Sequence, residues 1–146
     1  MNETYIKIFS LLSRKFSAAL LSSLTFGIIF AFFFMITTNR QEPEVYYFDF
    51  FEVILIYVFY SIPAYVLLAI PFSIFIDKYR KTASLSYYKK SILYSIAGII
   101  AAIICYSFMG GSLPGDWKAL LLFAVYGLIS ANLFLMFLGV IAKIRK

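Results

Sequence analysis

The sequence predicts an all-α polytopic membrane protein, a four-transmembrane-helix bundle with both termini on the cytoplasmic side. Three observations predict it. Hydrophobic residues make up 63% of the chain and charged residues only 14%, well outside the composition of soluble domains. The apolar residues gather into four runs, each near the roughly 20 residues needed to cross a hydrocarbon core of about 30 Å. Finally, eleven of the thirteen Lys and Arg residues stand before the first run, between the second and third, or after the fourth. Short loops rich in Lys and Arg stay on the cytoplasmic side of a membrane, so this distribution places the N-terminus, the second loop and the C-terminus together, with Arg40 and Lys118 opposite. The whole of 1–146 is then one integral membrane domain, located in the cell membrane.

The same composition excludes several chemistries. There is no histidine and a single cysteine, Cys105, which lies within an apolar run. Triads built on imidazole and the usual zinc sites are therefore excluded, and Cys105 reads as a small packing residue. The formal charge of +6 flanks apolar runs and forms no separate basic domain, which argues against nucleic acid as a partner. No catalytic set, metal site or cofactor is expected.

Taken in order, the chain begins with Tyr5, Ile8, Phe9, Leu12 and Phe16 at helical spacing among Lys7, Arg14 and Lys15, a pattern suited to a helix over 4–15 lying along the interface. The first span is expected over 16–37; its apolar run is too long for the core of a signal peptide, and no small-residue cleavage site follows it. Within it Ser23, Gly27 and Ala31 recur every four residues, which lets a neighbouring backbone approach. The next loop holds Arg40 against Glu42, Glu44, Asp49 and Glu52, with Tyr46, Tyr47 and Phe48 as an interfacial aromatic belt. These carboxylates lack the patterned spacing of a calcium loop, and Asp49 and Glu52 suit the positive end of the helix that follows.

The second span, 50–76, contains Pro63 and Pro71. Each removes a backbone donor and crowds the carbonyl four residues back, so a bend or an unwound turn is expected. Tyr60, Ser61, Pro63, Tyr65, Pro71 and Ser73 are the candidate contacts for a partner or substrate, because freed carbonyls in lipid persist only where protein, a cavity or a ligand satisfies them. The second loop carries Lys78, Arg80, Lys81, Lys89 and Lys90 against Asp77 alone, the candidate contacts for lipid head groups; Asp77 reads as an interfacial residue paired with its basic neighbours. The third span, 91–109, has Ala97, Ala101 and Cys105 on one small-residue row with Gly98 and Ala102 beside it. The fourth, 119–142, has Gly127 and Ala131 at the same spacing and one strongly polar residue, Asn132, a candidate contact that also suits helix-to-helix hydrogen bonding. Trp117 suits the interface at its start.

The passage YSIPAYVLLAIPFSIFIDKYRK, with the size and the four-span layout, resembles a family of small four-span membrane proteins of Gram-positive bacteria. In these a proline-containing second span ends in a P-x-S-I-x-x-D element before a basic loop, matched here by Pro71, Ser73, Ile74 and Asp77. The resemblance implies a fold and a location but no activity. Small multidrug transporters, by contrast, carry a carboxylate inside the first span that this chain lacks, and the Gly- and Thr-rich elements of fluoride channels are also missing. Two functional expectations stand. One is a non-enzymatic multipass protein that binds another membrane component, or a second copy of itself, as an immunity, accessory or regulatory subunit. The other is a small oligomeric transporter or channel with the kinked second span lining its path.

Overall fold

The computed structural model describes residues 3–37, 47–79, 86–108 and 117–144. The apolar runs all become helix, as they must where backbone groups have no water to bond. Helix α1 covers Glu3–Thr37, α2 covers Phe50–Ala64, a wider π turn follows over Tyr65–Ala69, α3 covers Ile70–Tyr79, α4 Tyr87–Phe108 and α5 Trp117–Ile144. α2, the π turn and α3 form one continuous rod, so the described residues contain four helices long and apolar enough to cross a membrane, and no strand.

The separate interfacial helix over 4–15 is not observed: α1 runs unbroken through Arg14, Lys15 and Phe16. No Gly or Pro occurs in it before Gly27, and nothing else in that stretch supplies a reason to turn. At 1.5 Å per residue the helix is about 52 Å long, more than a hydrocarbon core requires. The second span behaves as its prolines require. Pro71 has no N–H for the Leu67 carbonyl, and the turn just before it widens so that Ile70 N–H reaches the Tyr65 carbonyl five residues back. At the other end Asp49 opens α2, its own N–H donating to Glu52 Oε2 at 2.8 Å while its carbonyl accepts from Val53 N–H at 3.0 Å.

The helices associate as two pairs, α1 with the second span and α4 with α5, joined by α1 against α5. Small residues make both pairs close. Ser23, Gly27 and Ala31 are all buried, and a Cβ on Gly27 would stand 2.8 Å from Val58 Cγ2 and 3.2 Å from the Ile54 carbonyl oxygen. Gly98 and Gly127 face each other more tightly still. A Cβ on either would fall onto the other's carbonyl oxygen, and each would also stand 2.6 Å from an alanine Cβ, Ala131 or Ala102. Of the two small-residue rows on α4 it is therefore that of Gly98 and Ala102 whose backbone comes closest to α5, with Tyr94 and Tyr106 buried on the same row.

The two halves of the bundle differ. Away from the N-terminal end, Phe26, Phe30, Tyr57 and Tyr126 fill the space between α1, α2 and α5, with Phe30 and Tyr126 edge-on at 4.3 Å between centroids. Towards the N-terminal end the core is Ala18, Ala19, Tyr65, Ile70, Tyr94, Phe134 and Leu138, joined by polar side chains described below. Large apolar residues such as Phe33, Leu55, Phe59 and Val125 lie on the outside, as lipid-facing side chains should.

Gly98→Leu should lower the stability of the bundle in detergent by at least about 2 kcal/mol, since the backbones of α4 and α5 must part to admit the side chain. Gly139, where a Cβ meets nothing within 4 Å, is the internal control. Gly139→Ala should be neutral or stabilising by up to about 1 kcal/mol. Thermal unfolding followed by circular dichroism distinguishes the two; equal melting temperatures for wild type and Gly98→Leu would contradict the close approach.

Candidate functional site

The chemistry of the molecule collects at the end of the bundle that carries the N-terminus. Lys15 lies on the same four-residue row of α1 as Ala19, Ser23, Gly27 and Ala31, the row that faces the second span. A helix that buries this row must bury Lys15 too, and its side chain is 1% exposed. An ammonium ion taken out of water is costly unless it is paired and hydrogen-bonded. Lys15 Nζ donates to Asp77 Oδ2 at 2.6 Å and to Ser73 Oγ.

Both acceptors come from α3, one turn apart on a row that also includes Tyr65 and Ala69. Ser73, fully buried, passes the connection on. Its hydroxyl shares a hydrogen bond of 2.8 Å with the hydroxyl of Tyr94 on α4. Lys15, Asp77, Ser73 and Tyr94 thus tie three helices together through side chains distant in sequence. Asp77, 47% exposed, keeps contact with water while its partner has none, so the ion pair straddles the edge of the bundle.

Beside this network lies a cleft of about 210 Å³. Arg14, Lys15, Asp77, Lys90 and Tyr87 form its polar wall, and α5 supplies an apolar floor through Leu135 and Leu138. Arg14 Nε is buried there without a hydrogen-bond partner. A buried donor left unpaired costs about 1–3 kcal/mol, so the atom is stored demand for an acceptor.

The structure divides the sequence-predicted residues. Ser73 belongs to the network. Tyr65 is buried on the same face, its hydroxyl donating to the Ser130 carbonyl at 3.1 Å. Ser61 pairs with Ser23, Oγ to Oγ 2.7 Å, and donates to the Val58 carbonyl at 3.2 Å. Tyr60, Pro63 and Pro71 are exposed on the outer side of the rod. The candidate contacts on the second span therefore divide between two faces of the rod. With 3.6 residues per turn, positions 60, 63, 67 and 71 follow one face while 61, 65 and 73 follow the other.

Asn132 is bonded to α4. Its Oδ1 accepts from Ser91 Oγ at 2.6 Å, and its Nδ2 donates to Ser95 Oγ at 2.8 Å and to the Leu128 carbonyl at 2.9 Å, which joins α5 to α4. Of the basic loop, Arg80 and Lys81 and the side chain of Lys78 lie outside the described residues, as do Glu42 and Glu44. Lys89 is exposed on α4, and Lys90 is half-buried against the cleft.

Arg14, Lys15 and Tyr94 are site residues that sequence reasoning passed over. The first two are counted there as flanking charges that set orientation, and Asp77 as pairing with its basic neighbours. The signal that finds Lys15 is the small-residue row, extended back two steps from Ser23. Comparison with protein-family models, with curated proteins and with solved structures finds no match to this chain, so the geometry alone carries the functional argument.

The network predicts an asymmetric mutational response. Asp77→Asn leaves the Lys15 ammonium without its carboxylate and should cost about 2 kcal/mol, below the roughly 3–5 of a fully buried pair because Asp77 reaches water. Adding Lys15→Met removes the charge that needed a partner, and the double variant should return to within about 1 kcal/mol of wild type. Thermal or denaturant unfolding in detergent measures the cycle. Strictly additive losses would show that the two groups do not meet.

Proposed function

We propose that this chain is a non-enzymatic multipass protein of the bacterial cytoplasmic membrane, both termini cytoplasmic, which acts by binding another membrane component as an immunity, accessory or regulatory subunit. The observation that carries this reading is the cluster of aromatic rings in the half of the bundle remote from the N-terminus. Polar side chains reach from Lys15 through Ser73, Tyr65 and Ser23 to about the middle, and there Phe26, Phe30, Tyr57 and Tyr126 occupy the space. Among the described residues no polar path continues beyond them, which favours a binding protein over a conduit made by one chain.

The face offered to a partner is the outer side of the second span. Tyr60, Pro63, Leu67 and Pro71 are exposed along it, and the two prolines take from the Phe59 and Leu67 carbonyls the donors an unbroken α-helix would supply. Hydrocarbon cannot replace those donors, whereas a neighbouring helix with a hydroxyl or amide side chain can.

A second reading is favoured by one observation. The π turn, flanked by prolines, lies on the same rod as the half-buried ion pair, about two turns before Asp77, and an element of that kind is suited to shifting between two packings. On this reading several copies would form a transporter or channel with the second span lining the path.

The two readings separate in one set of experiments. A photo-crosslinking residue replacing Tyr60 should give a discrete adduct in native membranes, with another protein or a second copy, and the same residue replacing Phe33 on α1 should not. Pro63→Ala and Pro71→Ala should reduce the adduct while leaving insertion intact. The purified protein in liposomes should be inert towards ions and small solutes. Flux from the purified chain alone, or equal crosslinking from Tyr60 and Phe33, would contradict the binding reading.

A further inference from the structure

We propose that the cleft at the N-terminal end of the bundle is a binding site for a phosphate group, either that of an anionic phospholipid or soluble phosphate. Three cations line it, Arg14, Lys15 and Lys90, against one carboxylate, Asp77. Lys15 and Asp77 are joined at 2.6 Å and cancel each other, which leaves the charges of Arg14 and Lys90. Among the described residues neither of these forms an ion pair, and Arg14 Nε is buried with no acceptor at all.

The two cations come from different helices, Arg14 from α1 and Lys90 from α4, so the ligand must offer acceptors in more than one direction. A phosphate does so with its tetrahedral oxygens, and the planar fork of an arginine fits two of them. A carboxylate presents only two oxygens in one plane. The Tyr94 hydroxyl is committed to Ser73, which leaves Tyr87 as the hydroxyl on the polar wall.

The remaining wall suits a lipid. Leu135, Leu138 and Ala142 present apolar surface from α5, and at Gly139 a side chain is missing where a Cβ would touch nothing within 4 Å. That shelf leads away from the charges along a helix whose neighbouring positions are exposed, Met136 and Val140 among them. Basic pockets between transmembrane helices hold anionic head groups in this way, with the charge in the pocket and the acyl chain on the outer surface. The inference stands on the cleft alone and is independent of which partner meets the second span.

The experiment uses the full chain in nanodiscs of phosphatidylcholine with a minority of phosphatidylglycerol, and reads the retained lipid by native mass spectrometry. Wild type should keep one phosphatidylglycerol over phosphatidylcholine by roughly tenfold or more, the preference that two nearby cations give. Arg14→Gln and Lys90→Gln should each lower that preference by about fivefold. Arg14→Lys should restore part of it, and Lys118→Gln, exposed at the opposite end of α5 from the cleft, should leave it unchanged.

A second arm titrates inorganic phosphate against the protein in phosphatidylcholine alone, followed by phosphorus NMR. Saturable binding lost in Arg14→Gln would assign the site to soluble phosphate, and its absence together with lipid retention would assign it to the head group. Melting curves accompany every variant. If Arg14→Gln is unfolded, Lys90→Gln, at the cleft's rim, decides. Equal retention of both lipids with no phosphate saturation overturns the proposal. So does a preference that survives Arg14→Gln and Lys90→Gln but disappears in Lys118→Gln, and so does displacement by polyglutamate where phosphate has no effect.

Discussion

A lysine ammonium that is 1% exposed inside an apolar bundle imposes more order on this molecule than any other group. Lys15 sits on the face of α1 that must pack against the second span, and the cost of desolvating it is removed only if Asp77 and Ser73 arrive together. They can do so in only one register of α3 against α1. The Ser73 hydroxyl then needs its own partner, which brings Tyr94 and with it α4. Apolar surfaces in lipid have little preference for one another, so contacts of this kind, with close backbone approach, decide which helices meet.

Backbone approach works alongside the polar network and in a different place. Gly98 against Gly127 locks α4 to α5, and Gly27 against Val58 brings α1 to α2. Between them the aromatic rings of Phe26, Phe30, Tyr57 and Tyr126 pack together in the half of the bundle remote from the N-terminus. The result is an asymmetric molecule: one half is packed with rings, and the other is bonded through hydroxyls and charges beside a cleft. The π turn lies near the boundary, where Tyr65 reaches across to the Ser130 carbonyl. Pro71 crowds the carbonyl four residues before it, and widening the preceding turn relieves that crowding while leaving Ser73 and Asp77 on the inner face.

Much of this is legible in the sequence, and what is not has a physical reason. Four spans follow from length and apolarity, and the row Ser23, Gly27 and Ala31 marks the packing face of α1, because both signals are local and periodic. The pairing of Gly98 with Gly127 follows from spacing only in part. Spacing marks Ala97, Ala101 and Cys105 as well as Gly98 and Ala102, and only the neighbour's position decides between adjacent rows. Asn132 reads as a helix-joining residue from its isolation, and Ser91 and Ser95 give it that role.

The Lys15 network is harder to read for two reasons. Lysines near the end of an apolar run are counted as topology signals, and that count takes no account of which face of the helix they occupy. The partners Lys15 and Asp77 are also 62 positions apart, and nothing local to either announces the other. Tyr60 and Ser61 show the same difficulty at short range, since neighbours in sequence point about 100° apart, Tyr60 to the outside of the rod and Ser61 to Ser23 of α1.

The central claim is that Lys15 is held, out of water, against Asp77 in the folded bundle. Solid-state NMR on the protein in lipid bilayers, with nitrogen-labelled lysine and carbon-labelled aspartate, tests it directly. Lys15→Arg and Asp77→Asn samples assign the signals. A dipolar coupling between Lys15 Nζ and Asp77 Cγ, with ammonium protons protected from exchange with water, is the predicted result. A Lys15 signal with no carboxylate coupling and rapid exchange would contradict it, and would place Lys15 at the membrane surface.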